Sequence, residues 1–285
     1  MSIFSLFNKT PKWNPDKITV PWNNALDPIY QTLKENSDSA IAKGISTSSP
    51  LPNDHLDSDR DFTPSSFDSF VMMGGAEKLS SADVNLKLKA LETFFERFDS
   101  KTFALFYKEI ISNETILYID NFLDFLSQSD LLNHDQFVEV MVWIVLNSPH
   151  TEAVKFATAT LGRFTNDEIT QLLITVGLHE EFTLYATQAL KADIIFGEDA
   201  VFYIAQHLFG WGRIHAVERL LDTDDEAIKQ WIIEEGWRND VDPSFHVLQI
   251  VESLILHEDF SKEPMQKTIS NMKRTPMMDE KTGEY

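Results

Sequence analysis

One spacing constrains this chain more than any other feature. Acidic dipeptides that suit the start of a helix fall at His134-Asp135, Asn166-Asp167 and Glu198-Asp199, evenly spaced along the chain. A fourth, Asp224-Asp225, follows after a shorter interval. An aspartate at such a position accepts bonds from the free amides of the first turn and faces the positive end of the helix dipole. A second helix is expected inside each unit, near Pro149-His150, His179-Glu180, Gly212-Arg213 and Pro243-Ser244. These second helices are rich in small and apolar residues, as in Ala153-Val154-Lys155-Phe156-Ala157-Thr158-Ala159. Small residues let two helix axes approach closely. A two-helix unit cannot bury both its apolar faces alone, so neighbouring units must cover them.

The pattern around this repeat is helical throughout. Val84, Leu86, Leu88, Leu91, Phe94, Phe95 and Phe98 recur at mostly helical spacing, with Ser81 or Asp83 as the expected cap. About eleven helical segments are predicted between residues 81 and 259, joined by short Asn-, Asp-, Gly- or Pro-containing connections. No run alternates as a strand does. The expected fold is all-α: a right-handed solenoid of stacked antiparallel helix pairs with an irregular N-terminal arm. Phe94, Phe95, Phe98, Phe103, Phe106, Phe122 and Phe125 read mainly as its core.

Composition divides the chain into three zones. Residues 1–80 carry 7 basic and 10 acidic groups, residues 81–260 carry 12 and 31, and residues 261–285 carry 5 and 4. The negative charge therefore belongs to the helical body, and the two flanks read as an arm and a tail. Between Asn36 and Phe70 lie nine Ser, six Asp and three Pro, which predicts a long loop or disorder. Trp13, Trp22, Leu26, Ile29 and Tyr30 are costly to leave in water, so that part of the arm is expected to dock on the main domain, the alternative being an exposed recognition segment for a partner. Pro11, Pro15, Pro21 and Pro28 favour extended or turn geometry there.

The period and helix pattern over about residues 84–258 resemble the HEAT and armadillo-like repeat family, with units shorter than is usual there. A narrower resemblance is carried by Gly210-Trp211-Gly212-Arg213-Ile214-His215-Ala216-Val217-Glu218-Arg219-Leu220, by Trp231, and by Gly236-Trp237-Arg238-Asn239-Asp240-Val241. These stretches are similar to an uncharacterised bacterial family of HEAT-like proteins. That resemblance implies the fold and no activity.

The formal charge of −21 argues against a nucleic-acid binder, which needs a basic face to neutralise phosphates. HEAT-like alkylpurine DNA glycosylases grip DNA with such a face, and this chain lacks the charge for it. The absence of cysteine rules out thiolate metal sites and a cysteine nucleophile. No leader or membrane-spanning segment is read from the sequence, so a cytoplasmic protein is expected. The leading functional expectation is a non-enzymatic scaffold that binds a basic protein. Its sharper form is an immunity-type inhibitor of a toxin, with Asp135, Asp167 and Asp199 along one rim.

The alternative is an enzyme or small-ligand protein using Trp211, Arg213, His215, Arg219, Trp237, Arg238 and Asn239. Arginine forks bind carboxylates or phosphates, and indoles give a flat wall. The same arginines also read as pairing with Glu218, Asp222, Glu234 and Glu235 to fix the register between units. No cofactor and no metal are expected. His179-Glu180-Glu181-Phe182-Thr183 lacks the second His of a zinc-protease helix. Asp57, Asp59 and Asp61 open like a calcium loop, but Phe62 stands where the turn needs Gly and Asp68 where it needs Glu.

Overall fold

Five of the described α-helices begin where a side chain takes over an unpaired amide. Ser80, rather than Ser81 or Asp83, caps one by accepting from the Asp83 amide. Asp99 accepts from the Thr102 amide, Asn166 from Ile169, and Asp225 from both Ala227 and Ile228. Each such cap is worth about 1 kcal/mol relative to alanine.

The computed structural model describes residues 12–44, 46, 48–53, 63–134, 136–164, 166–192, 197–241 and 250. Among them the regular structure is entirely helical. The α-helices are α1 (Ile29–Lys43), α2 (Ser66–Met72), α3 (Ser81–Arg97), α4 (Ser100–Ile111), α5 (Ile119–Ser127), α6 (Phe137–Asn147), α7 (Thr151–Leu161), α8 (Asp167–Gly177), α9 (Glu180–Lys191), α10 (Gly197–His207), α11 (Trp211–Glu218) and α12 (Glu226–Trp231). A π-helical turn, Ile232–Gly236, continues α12. Among the described residues no helix is long and apolar enough to cross a membrane.

The helices α6, α8 and α10 start at Phe137, Asp167 and Gly197, equally spaced along the chain. Each packs on the helix that follows it: α6 on α7, α8 on α9, α10 on α11. The second helices also touch in sequence, α7 against α9 and α9 against α11. Small residues make that row possible. A Cβ added at Gly162, just past α7, would stand 2.6 Å from the Ala189 Cα of α9. The consequence is burial on all sides: every residue from Ala153 to Leu161 is buried, as is every residue from Phe182 to Thr187.

Aromatic residues fill the other end. Phe94, Phe95, Phe103, Phe106 and Phe122 are buried, while Phe98 and Phe125 are half-buried. Trp13 lies within 6.4 Å of the Phe94, Phe98, Phe103 and Trp143 rings. Trp22 sits 4.7 Å from Tyr107. Burying an indole is worth about 3 kcal/mol, enough to hold an otherwise irregular segment in place.

Two helices run into the stretch for which composition predicts a loop, one at each end. The first, α1, buries Ile29, Leu33, Asn36, Ser37 and Ala40 against α6 and α8. Its buried stripe is partly polar, so apolar periodicity does not reveal it. Asn36 and Ser46 both donate to the Leu178 carbonyl, each at 2.8 Å, replacing apolar contact with specific bonds. The second, α2, buries Asp68, Ser69 and Val71.

Candidate functional site

The turns that open α7 and α9 lie side by side, and the arm wraps both. Asn53 Nδ2 donates to Pro149 O at 2.8 Å. His179, the residue before α9, donates from Nε2 to Ser49 O at 2.8 Å, and its Nδ1 accepts the Glu181 amide at 3.3 Å. Both ring nitrogens are thus engaged as in a neutral imidazole. The Glu180 amide donates to Ser48 Oγ at 2.9 Å.

Between these turns, the arm and the end of α4 is a cleft of about 580 Å³. Its walls include Ser48–Leu51, Thr63–Ser65, Phe67, Ile111–Glu114 and Thr151. That volume lies within the usual range for small-ligand sites. At its floor is Lys155 from α7, with only 3% of its side chain exposed. Its ammonium lies 2.5 Å from Glu181, 3.1 Å from Asp68 and 3.5 Å from Glu152. Tyr185 packs beside Lys155, its ring centroid 5.5 Å from Nζ. One ammonium therefore serves three carboxylates.

The charges are set by that imbalance. Burial opposes the Lys155 ammonium, but Asp68, Glu152 and Glu181 outweigh it and hold the group well above the ordinary lysine range. Asp68 goes the other way. Burial raises its carboxyl, Lys155 pulls it down, Glu181 and Glu152 push it up again, and the outcome is about 6. Burial, then Asp68, also pushes the Tyr185 phenol well up. Among the described residues neither Asp68 oxygen makes a well-aligned hydrogen bond, and the Ser65 and Tyr185 hydroxyls also have none. Buried polar atoms are ordinarily bonded, so such a group signals a function or a strained contact. Among the described residues no set of His, Asp and Glu is arranged to hold a metal ion.

A second buried constellation has the composition of a nucleophile triad. Ser69 Oγ is 3.0 Å from His215 Nε2, and His215 Nδ1 is 3.7 Å from Glu218. The bonding runs the wrong way for catalysis. Ser69 Oγ donates its one hydrogen to Ser65 O at 2.9 Å, so the histidine donates to the serine instead of accepting from it. Ser69 is also buried. This set fastens α2 to α11.

The tryptophan and arginine residues of the last units divide among different tasks. Arg213 is buried and donates to the Ala205 and Arg238 carbonyls at 3.1 and 2.9 Å, with Gln206 O at 3.5 Å. It also lies 5.4 Å from the Phe209 and Trp231 rings, and burial lowers it to about 10. Its fork is used to close the end of α10. Arg238 is exposed, pairs with Glu235 at 3.0 Å and lies over the Trp237 ring. Trp237 and Asn239 are buried, and Asn239 bridges Trp237 O and the Val241 amide. Trp211 stacks on His215 at 6.3 Å, on the side that faces α2. Arg219 is half-buried, its Nε without a partner among the described residues. The structure thus joins Arg213, Trp237, Arg238 and Asn239, and sets Trp211 and His215 apart from them. Asp167 and Asp199 are exposed at the starts of α8 and α10. Asp135, the Asp57–Asp61 triplet and Pro243-Ser244 lie outside the described residues.

The Lys155 cluster was not evident from spacing, because Asp68, Lys155 and Glu181 are far apart in the chain. One signal was present: a lone cation inside the otherwise small and apolar run from Ala153 to Leu161. In comparison with known proteins, no family model, no curated protein and no solved structure matches this chain.

Proposed function

We propose that this chain is a non-enzymatic binding protein whose acidic helical body takes a basic protein partner. One observation carries the reading: four of the body's twelve basic residues are turned inward, while most of its carboxylates stay at the surface. Lys87, Lys155, Arg213 and Lys229 are buried. Lys87 donates to Glu109 O, Ser112 and Asn113. Lys155 holds the cleft carboxylates, Arg213 closes α10, and Lys229 lies 3.3 Å from Glu226. A partner therefore meets mainly carboxylates, among them Asp167, Glu168, Asp199, Asp222 and Asp224, all exposed. A field of this sign draws basic partners and speeds their encounter.

The even recurrence of α6, α8 and α10 and the α7–α9–α11 row support a right-handed HEAT-like solenoid as the scaffold. Such a stack offers an extended face for a large partner. An inhibitor of a basic toxin, in the cytoplasm, is the sharper form of the reading.

The test is affinity capture on the immobilised chain at low and high salt, repeated with Asp167→Lys/Asp199→Lys. The expected result is one stoichiometric basic partner, released by salt and weakened by the charge reversal while the helical signal is unchanged. Retention that ignores both salt and charge reversal overturns the reading.

A further inference from the structure

The groups lining the cleft select its ligand. Among the described lining residues Lys155 is the single lysine or arginine, set against Asp68, Glu114, Glu152 and Glu181. A surplus of negative charge in a partly enclosed site repels anions and concentrates cations.

The individual oxygens select further. Glu181 Oε1 faces Lys155, and its Oε2 accepts the Ser65 amide at 2.7 Å. Glu152 Oε1 faces Lys155, and its Oε2 accepts the Thr115 amide. Asp68 Oδ2 faces Lys155. None of these three carboxylates has both oxygens unclaimed. A guanidinium fork wants two oxygens of one carboxylate in a plane. An ammonium is a compact charge whose three donors take single oxygens from different groups. Asp68 Oδ1 and Ser65 Oγ are such acceptors: both are buried, both lack a hydrogen-bond partner among the described residues, and both residues line the cleft. The Glu152 and Glu181 side chains, 17% and 20% exposed, form the reachable rim above them. Phe67 and Ile111 add apolar wall for an alkyl stem.

We propose that this cleft binds a primary alkylammonium group, seated among Glu152, Glu181, Asp68 and Ser65 with its stem along Phe67 and Ile111. The source of the amine rests on the preceding reading: it is a lysine side chain of the basic partner. A cation entering here also favours the ionised form of Asp68, so binding weakens as the solution is acidified below about pH 6.

The experiment is a ligand-detected NMR titration of the full chain with Nα-acetyl-lysine methylamide. The comparison ligands are its arginine counterpart, its Nε-acetylated neutral form, and 1,4-diaminobutane. The lysine derivative should bind at least about tenfold more tightly than the arginine and neutral forms, a difference of about 1.4 kcal/mol. Ser65→Ala, which leaves every ion pair in place, should weaken it several-fold, and Glu181→Gln more. Equal binding of the arginine or neutral form overturns the proposal, and that comparison needs no variant to fold. Tighter binding of the diamine overturns the lysine source. The two readings fail separately. A salt-released partner with no lysine-derivative binding sinks only this inference, and lysine-derivative binding without any partner sinks the proposed function and the partner-lysine source while leaving the alkylammonium site.

Discussion

Asp68 and Lys155 are 3.1 Å apart, yet attraction does not decide the charge of Asp68. The carboxyl is 1% exposed and shares its cation with Glu152 and Glu181. Burial and like charge win over the ion pair, and the group sits near 6 where its ordinary value is 3.8. The linkage sign follows from that order. A carboxyl raised in the folded state gives the fold extra stability below its unfolded value. That contribution is lost as pH rises from about 4 through about 6. The size of the effect is about 3 kcal/mol at most, for a shift of about two pH units. Glu152 on α7 and Glu181 and Tyr185 on α9 face the same group, and their charges are part of the balance. Asp68→Asn removes the titration and keeps the shape. Its stability relative to the parent should rise between pH 4.5 and pH 7.5, read from urea melts at each pH. A difference that stays flat across that window means Asp68 ionises normally.

At the scale of elements, α7 and α9 are held together by what their residues lack. Gly162 admits the Ala189 backbone, and a methyl there has nowhere to go because its nearest neighbour is a Cα, at 2.6 Å. Gly162→Ala should therefore cost about 1–3 kcal/mol by overpacking. A drop in melting temperature checks it, and an unchanged melt would mean the α7–α9 contact yields freely. The small residues of these helices were visible in the sequence, as was the Asp225 cap, which acts on amides two and three positions away; at α8 the cap is Asn166, and the expected Asp167 is the first helical residue. Local chemistry is legible when both partners lie in one turn. The starts of α6, α8 and α10 are evenly spaced, at nearly the period of the acidic dipeptides. What stayed hidden depends on distant partners. The buried face of α1 uses Asn36 and Ser37, which read as loop residues until the Leu178 carbonyl is brought beside them. Arg213 reads as a ligand-binding fork, yet its bonds go to carbonyls 8 and 25 residues away. The cleft joins α2 to the α7–α9 pair, and no periodicity specifies where α2 docks.

The whole molecule depends on its arm as much as on its helix pairs. Residues 12–53 seat Trp13 and Trp22 on the aromatic end and then lay α1 across α6 and α8. Past α1 they supply hydrogen bonds to the turns before α7 and α9. Those turns carry carbonyls at Leu178 and Pro149 to which the arm's side chains donate. Without the arm they would face either water or an apolar void. The arm therefore completes the body instead of decorating it, and the two should unfold together. Asn36 is the sharpest place to test this, because it is buried and its amide also spans Ser46 and the Ser49 backbone. Asn36→Ala removes three bonds and leaves the Leu178 carbonyl with Ser46. The expected loss is about 1–3 kcal/mol, the cost of orphaning buried polar groups. A cooperative unit spreads that loss evenly: near-ultraviolet dichroism from the aromatic end and far-ultraviolet dichroism from the helices should shift to the same lower denaturant midpoint. If the arm were an independent attachment, the aromatic signal from Trp13 and Trp22 would melt first, the helical midpoint would stay where it is in the parent, and the cleft formed between arm and body would be lost before the helices that floor it.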